Sequence, residues 1–193
     1  MKTKPSPNAP LLQHGRDWEG DNPGGWFVTE KLDGVRCYWD GHLAWSKDGN
    51  IITLPSRIHN ALPHTPLDGE IYAGRGKFET ARSAVQYNRW TDEVRFIAFD
   101  RPNIIGHHRE RTRNLAHHWP DCLTPYICES YAELMDDLRR VQSRGGEGLM
   151  LYSPLQTCYE RKRTGRVLKI NPTTAVATPV GGNFSTTLSD TDS

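Results

Sequence analysis

A lysine held on a rigid turn can act as a covalent nucleophile once its amine gives up a proton. Neighbouring cations or partial desolvation help by lowering its pKa. Lys31 is a candidate: Thr29-Glu30-Lys31-Leu32-Asp33-Gly34-Val35-Arg36 sets an amine beside a tight-turn dipeptide, with Arg36 five residues on to face something anionic. The same octapeptide suits an ordinary surface hairpin with a solvated lysine, because Lys, Asp and Gly all favour exposed turns. Further along, Glu70 closes Leu67-Asp68-Gly69-Glu70, and Glu147 opens a strand-like run to Tyr152. Either glutamate alone ordinarily caps a strand or faces water. Beside a lysine nucleophile the two make chemical sense together, since a pair of carboxylates can hold Mg²⁺, which takes oxygen ligands and neutralises phosphate charge. Phe99 is a core side chain by default, yet an aromatic at a pocket edge can stack on a base. Lys169 is a cation in the otherwise apolar Val167-Leu168-Lys169-Ile170, and a buried lysine needs an anion, for which phosphate is one candidate.

These groups lie far apart in sequence, so strands must bring them together. Strand-like runs at 26–32, 35–39, 42–46 and 51–54 are separated by Asp33-Gly34, Asp40-Gly41 and Asp48-Gly49, each a hairpin signal, which predicts an antiparallel meander. Pro55 suits the first turn of a short helix through Leu62. A strand is expected at 67–73, a flexible Gly74-Arg75-Gly76 loop, a helix at 78–87 and a buried strand at 94–100. Residues 106–118 read as a helix with a basic, His-rich face, and 124–128 as a strand. Ser130 with Glu133 forms a capping-box signature ahead of Leu134, Leu138 and Val141 at helical spacing, and Gly145-Gly146 ends that helix. Strands follow at 147–152 and 167–170. The fold class is α+β, mixed antiparallel strands with interspersed helices. Residues 1–25 read as an extended arm anchored by Leu11 and Leu12, with Trp18 packing back, and residues 173–193 as a disordered tail.

The 193 residues suffice for one good-sized core. With 24 basic and 23 acidic residues, net +1, no global field points to a polyanion, so any nucleic-acid surface must be a local patch. Apolar content of 36% and a mean hydropathy of −0.69 are on the polar side, and no run approaches a membrane span. No apolar signal segment is seen at the start of the chain. Cys37, Cys122, Cys128 and Cys158 form no C-x-x-C pair or zinc-like spacing, which fits reduced thiols in the cytoplasm. His107-His108 and His117-His118 lack a Cys or Asp to complete a familiar metal set, and adjacent histidines do not share a helix face. Arg161-Lys162-Arg163 with Arg166 is a basic cluster that could track nucleic acid or simply be a solvated loop.

Lys31-Leu32-Asp33-Gly34-Val35-Arg36 resembles the Lys-x-Asp-Gly-x-Arg signature of the covalent nucleotidyltransferases, a superfamily of ATP-dependent DNA ligases, RNA ligases and mRNA capping enzymes. Asp68-Gly69-Glu70, Phe99-Asp100, Glu147-Gly148-Leu149-Met150 and Leu168-Lys169-Ile170 follow in that superfamily's order. Tyr38-Trp39-Asp40-Gly41 and the phrase from Leu67 to Phe78 look most like the small bacterial and phage DNA ligases, and the resemblance covers roughly residues 10–172. It implies an α+β nucleotidyltransferase fold over residues 26–172, with ATP and Mg²⁺ as cofactors and nicked duplex DNA as partner. Lys31 would attack the α-phosphate of ATP and carry AMP. Glu30 would seat the adenine through its backbone, Arg36 and Glu70 would hold ribose and phosphate, and Phe99 would stack on the base. Glu147, with Glu70, would serve the metal, and Lys169 would neutralise the α-phosphate. Lys47, Arg57, Arg75 and Lys77 are candidates for DNA phosphate contacts, and a solvated role is as good a reading for each.

Three departures bear on these implications. The family's strand around Lys169 normally carries a second lysine two positions on, where this chain has Asn171, a hydrogen-bond donor without charge. Ser46-Lys47 stands where Ser-Arg is common, which keeps the charge but loses the bidentate fork. The chain ends about where the ligases' OB-fold domain would begin, so the expectation is an isolated, monomeric nucleotidyltransferase domain, with a separate OB-fold partner or weak activity. Competing expectations are RNA ligation or guanylyl transfer, and a nick-binding module without turnover.

Overall fold

A computed structural model describes residues 6–171. The expected tail at 173–193 lies outside the described residues. In chain order the first half comprises β1 (His14–Asp17), β2 (Phe27–Lys31), β3 (Val35–Trp39), β4 (Ala44–Ser46), β5 (Ile51–Ile52), α1 (Ser56–His59), β6 (Leu67–Tyr72) and α2 (Phe78–Tyr87). The second half comprises β7 (Arg95–Asp100), α3 (His108–Thr112), α4 (Leu115–His118), β8 (Tyr126–Ile127), α5 (Tyr131–Ser143), β9 (Gly148–Tyr152) and β10 (Arg163–Ile170). The strands form two five-stranded sheets, β1-β10-β9-β2-β8 and β5-β4-β3-β6-β7. All ladders are antiparallel except β1 with β10.

The two sheets meet in a way the turn residues do not announce. Asp33-Gly34 does not close a hairpin: β2 pairs with β8 and β9, whereas β3 pairs with β4 and β6. The segment from Lys31 to Val35 therefore crosses from one sheet to the other. Gly34 is required there by contact, since a Cβ would come 2.3 Å from the Ile71 carbonyl oxygen. The other two turn signals do close hairpins, with Gly41 and Gly49 at φ of 106° and 76° joining β3 to β4 and β4 to β5. A D-G pair fixes a tight turn locally, but the ladder beyond it follows where the apolar faces can be buried.

Each sheet has its own apolar core. Against β3, β6 and β7, helices α1, α2 and α4 help bury Trp39, Leu67, Ile71, Ala81, Phe96 and Leu115. Against β2, β9 and β10, α5 buries Leu134 and Leu138 on Val28, Leu149, Leu151 and Leu168, and Trp18 joins this cluster. The stretch expected as an arm thus contributes a strand and a core tryptophan, with Leu12 buried and Leu11 exposed.

Other local departures have plain causes. The helix expected over 106–118 is two short ones, interrupted where Arg113 is extended and Asn114 adopts φ 61°, a left-handed conformation that Asn tolerates. At α5, Ser130 Oγ accepts from the Glu133 N–H, but the Glu133 carboxylate accepts from Glu129 rather than Ser130, so only half the expected capping box forms. Between β6 and β7, Asp68 pairs with Asp100 and Gly69 with Ala98, which leaves Phe99 as the unpaired bulge residue. No helix among the described residues is long and apolar enough to cross a membrane.

Candidate active site

A cleft of about 220 Å³ opens where the two sheets approach, and Lys31, Arg36, Glu70, Phe99, Tyr159 and Lys169 are among its walls. One sheet supplies Lys31 at the end of β2 and Lys169 on β10. The other supplies Arg36 on β3, Glu70 on β6 and Phe99 on β7. Register explains how distant residues converge. Lys31 lies opposite Gly148 across the β2–β9 ladder, which sets Glu147 beside the amine, and Lys31 Nζ is hydrogen-bonded to Glu147 Oε1. Arg36 lies opposite Glu70 across the β3–β6 ladder, and Asp68, two residues from Glu70, shares that face.

The electrostatics are those of a site built to meet opposite charge. Asp68 is fully buried and grips Arg36, with Arg36 Nε donating to Asp68 Oδ1 at 2.6 Å. Burial works against the guanidinium's charge, but Asp68 outweighs it and keeps Arg36 firmly cationic. Its central carbon lies 4.7 Å from the Phe99 ring centroid, over one face. Burial pushes the Glu70 carboxyl up to about 8 despite the nearby Arg36 and Lys31, with Asp68 and Glu147 adding to the rise. Burial thus favours the protonated form of Glu70. Lys169 is half-buried and meets an anion of the chain itself, Asp17 on β1, at 3.1 Å. His14, on β1 at the cleft wall, is kept neutral by burial and by Arg36, Arg163 and Lys47.

The residues expected to touch DNA are dispersed. Lys47 is exposed in the β4–β5 turn. Arg57 donates to the backbone carbonyls of Thr91 and Val94 at 2.6 and 2.8 Å, Arg75 makes a two-pronged pair with Glu30 at 2.8 and 2.7 Å, and Lys77 is paired with Glu93. Sequence reasoning gave no role to Asp68, Gln13, Gln156 or Tyr159, all buried beneath Arg36. Only Asp68 had a signal, its place in Asp68-Gly69-Glu70. The other three are polar residues in loop-like sequence that nothing local distinguishes. Among the described residues no group of three or more His, Cys, Asp or Glu is placed to hold a metal, so the His-rich pairs at 107–108 and 117–118 form no metal centre there.

This two-sheet fold is shared with known structures. A structure of the Lig E DNA ligases matches with a TM-score of 0.73 and 29% identity, covering 83% of this chain and 68% of that one. The Chlorella virus DNA ligase-adenylate matches with a TM-score of 0.72 and 22% identity, over 84% of this chain and 67% of that one. The fold is therefore that of the nucleotidyltransferase domain of the ATP-dependent DNA ligases. The sequence is similar as well: a DNA ligase of Haemophilus influenzae (strain ATCC 51907 / DSM 11121 / KW20 / Rd) is 31% identical over 156 residues, 76% of this chain. The chain spans 58% of that relative's length. No family model matches.

Proposed function

We propose that the chain is an adenylyltransferase of the ATP-dependent DNA ligase type. It takes AMP from ATP onto Lys31 and passes it to the 5′-phosphate of nicked duplex DNA. The observation that carries this reading is the Lys31 amine in contact with Glu147, at a cleft whose far wall holds Arg36, Glu70 and Phe99. The carboxylate of Glu147 is positioned to receive the proton that Lys31 must lose. The freed lone pair then forms a P–N bond to the α-phosphorus, and the bond to the bridging oxygen breaks, releasing pyrophosphate. In the next step a 5′-phosphate oxygen attacks the same phosphorus and the P–N bond breaks. The 3′-hydroxyl of the nick then attacks the activated 5′-phosphate, and AMP leaves.

In this reading Phe99 stacks on the adenine, the backbone at Glu30 seats it, Arg36 holds the ribose, and Lys169 turns from Asp17 to the α-phosphate. Positioning and charge stabilisation do most of the work. Glu70 and Glu147 suit Mg²⁺, which commonly binds one or two carboxylates together with substrate phosphates. When bound, the ion would neutralise developing phosphate charge. Lys47 is the freest of the proposed DNA contacts. Arg57, Arg75 and Lys77 would each have to leave a protein partner. In this reading the chain acts as a monomer.

Incubation with α-labelled ATP and Mg²⁺ tests the reading. Label should attach to Lys31 and chase onto nicked DNA, with ATP preferred over GTP and nicked DNA over RNA. Lys31→Ala should lower labelling by at least about 10³-fold. Equal labelling of that variant and the wild type would end the assignment.

A further inference from the structure

Beneath the cleft lies a buried polar chain that links both sheets to β1. Asp68, fully buried, accepts from Arg36 Nε at 2.6 Å and from the Tyr159 hydroxyl at 2.5 Å. The same hydroxyl accepts from the Gln13 backbone N–H at 3.0 Å, and the Gln13 carbonyl accepts from Arg36 Nη2 at 3.3 Å. The loop closes on itself: Arg36, Asp68, Tyr159, Gln13 and back to Arg36. It is fastened from below, where Gln156 Nε2 donates to the Gln13 side-chain oxygen at 3.0 Å and the Glu160 N–H donates to that oxygen at 2.8 Å. Arg111, fully buried and paired with Asp100 at 2.8 Å, also reaches Gln156 Oε1 at 3.4 Å. Asp100 directly follows Phe99, so both walls of the stacking position rest on one network.

Resting on the nucleotide-binding reading above, we infer that Tyr159 is a positioning residue: its hydroxyl, through Asp68, fixes the Arg36 guanidinium at the angle needed to hold the nucleotide beside Phe99. Three features carry this. First, Asp68 Oδ1 accepts from Arg36 Nε while Oδ2 accepts from both Arg36 Nη2 and the Tyr159 hydroxyl, so the tyrosine holds the carboxylate in the orientation that forks the guanidinium. Second, burial and the neighbouring Asp68 push the Tyr159 phenol far above its usual range, so it stays a donor at any working pH. Third, Tyr159 comes from the β9–β10 connection and Gln13 from the chain start of β1, so Arg36 on the opposite sheet is oriented by elements that do not belong to its own ladder. A buried charge held by several hydrogen bonds has little rotational freedom, and that pre-organisation is what a nucleotide-contacting arginine needs.

The test is ATP affinity, read by calorimetry in a Lys31→Ala background so that no covalent step intervenes. Adding Tyr159→Phe should weaken ATP binding about tenfold, the scale of a lost hydrogen bond to a charged group. Tyr131→Phe, at an exposed tyrosine away from the network, should leave it unchanged. In the catalytically competent chain Tyr159→Phe should raise the KM for ATP while the labelling rate at saturating ATP changes less than about threefold. A thermal melt accompanies each variant. If affinity and KM stay at their parent values, Tyr159 is merely structural and the inference is overturned, whatever happens to the melting temperature. If Tyr159→Phe does not fold, Gln156→Leu decides by the same measurements: unchanged affinity overturns the inference, and weakened affinity with a retained fold supports it. A Lys31→Ala chain that binds no ATP would defeat the nucleotide-binding reading itself, and this inference with it.

Discussion

The sheet that ends at Lys31 and the sheet that begins at Val35 are equal in strand number, and each packs helices against one apolar face. They differ in how they are held inside and how they are held to each other. Within each sheet, buried Leu, Ile, Val and aromatic side chains meet one another. Between the two sheets, polar contacts tie Arg75 to Glu30, Tyr159 to Asp68 and Arg36 to the Gln13 carbonyl, beside one small apolar patch of Leu12, Tyr38 and Trp45. Apolar packing is non-directional and makes each half robust. Hydrogen-bonded charges are directional and make the seam specific in geometry. A site assembled on such a seam gets rigid walls from two cores and exact aim from a few polar bonds.

The sharpest way to break this picture is to cut each core alone. Phe96→Ala, in the core behind the Arg36 sheet, should cost about 3–5 kcal/mol, and Leu168→Ala, in the other core, about 2–5 kcal/mol. Urea unfolding measures both. Because the two side chains sit in separate clusters, the double variant should be additive within about 0.5 kcal/mol. Strong non-additivity would mean that the cores are one unit and the seam is not a boundary.

A smaller effect tests the seam's charge. The folded-state carboxyl of Glu70, pushed up to about 8 from an ordinary 4.5, binds its proton more tightly than the unfolded chain does. Its contribution to stability is therefore fully present below 4.5 and is lost as pH rises towards about 8. In metal-free buffer the wild-type melting temperature should fall relative to Glu70→Gln across that window. Parallel curves for the two proteins would show that Glu70 is not desolvated at the cleft. Smallest of all, Arg75→Ala should cost under about 1 kcal/mol, because its pair with Glu30 is partly exposed and screened. A loss of several kcal/mol would make that pair a principal tie between the halves and would revise the comparison.

Much of this molecule was legible in its sequence. The two hairpins at Asp40-Gly41 and Asp48-Gly49, the helix over 78–87 and the start of α5 at Ser130 are local decisions, set by turn chemistry, capping and apolar period. The order of Lys31, Arg36, Glu70, Phe99, Glu147 and Lys169 along the chain also marks them as a set. Asp33-Gly34 shows the limit. The same dipeptide that closes a hairpin elsewhere here hands the chain from one sheet to another, because strand partners are chosen by long-range burial that no short window contains.

What the residues alone determined, then, was the chemistry at hand and most of the elements that carry it. Only the tertiary structure decided that β1, in a stretch resembling a loose arm, would run beside β10 and bring Gln13 under Arg36, and that Tyr159 would meet Asp68 across 91 positions of chain. Those contacts have no local signature. They exist because two separate apolar cores bring their polar margins together, and buried donors and acceptors there must find each other.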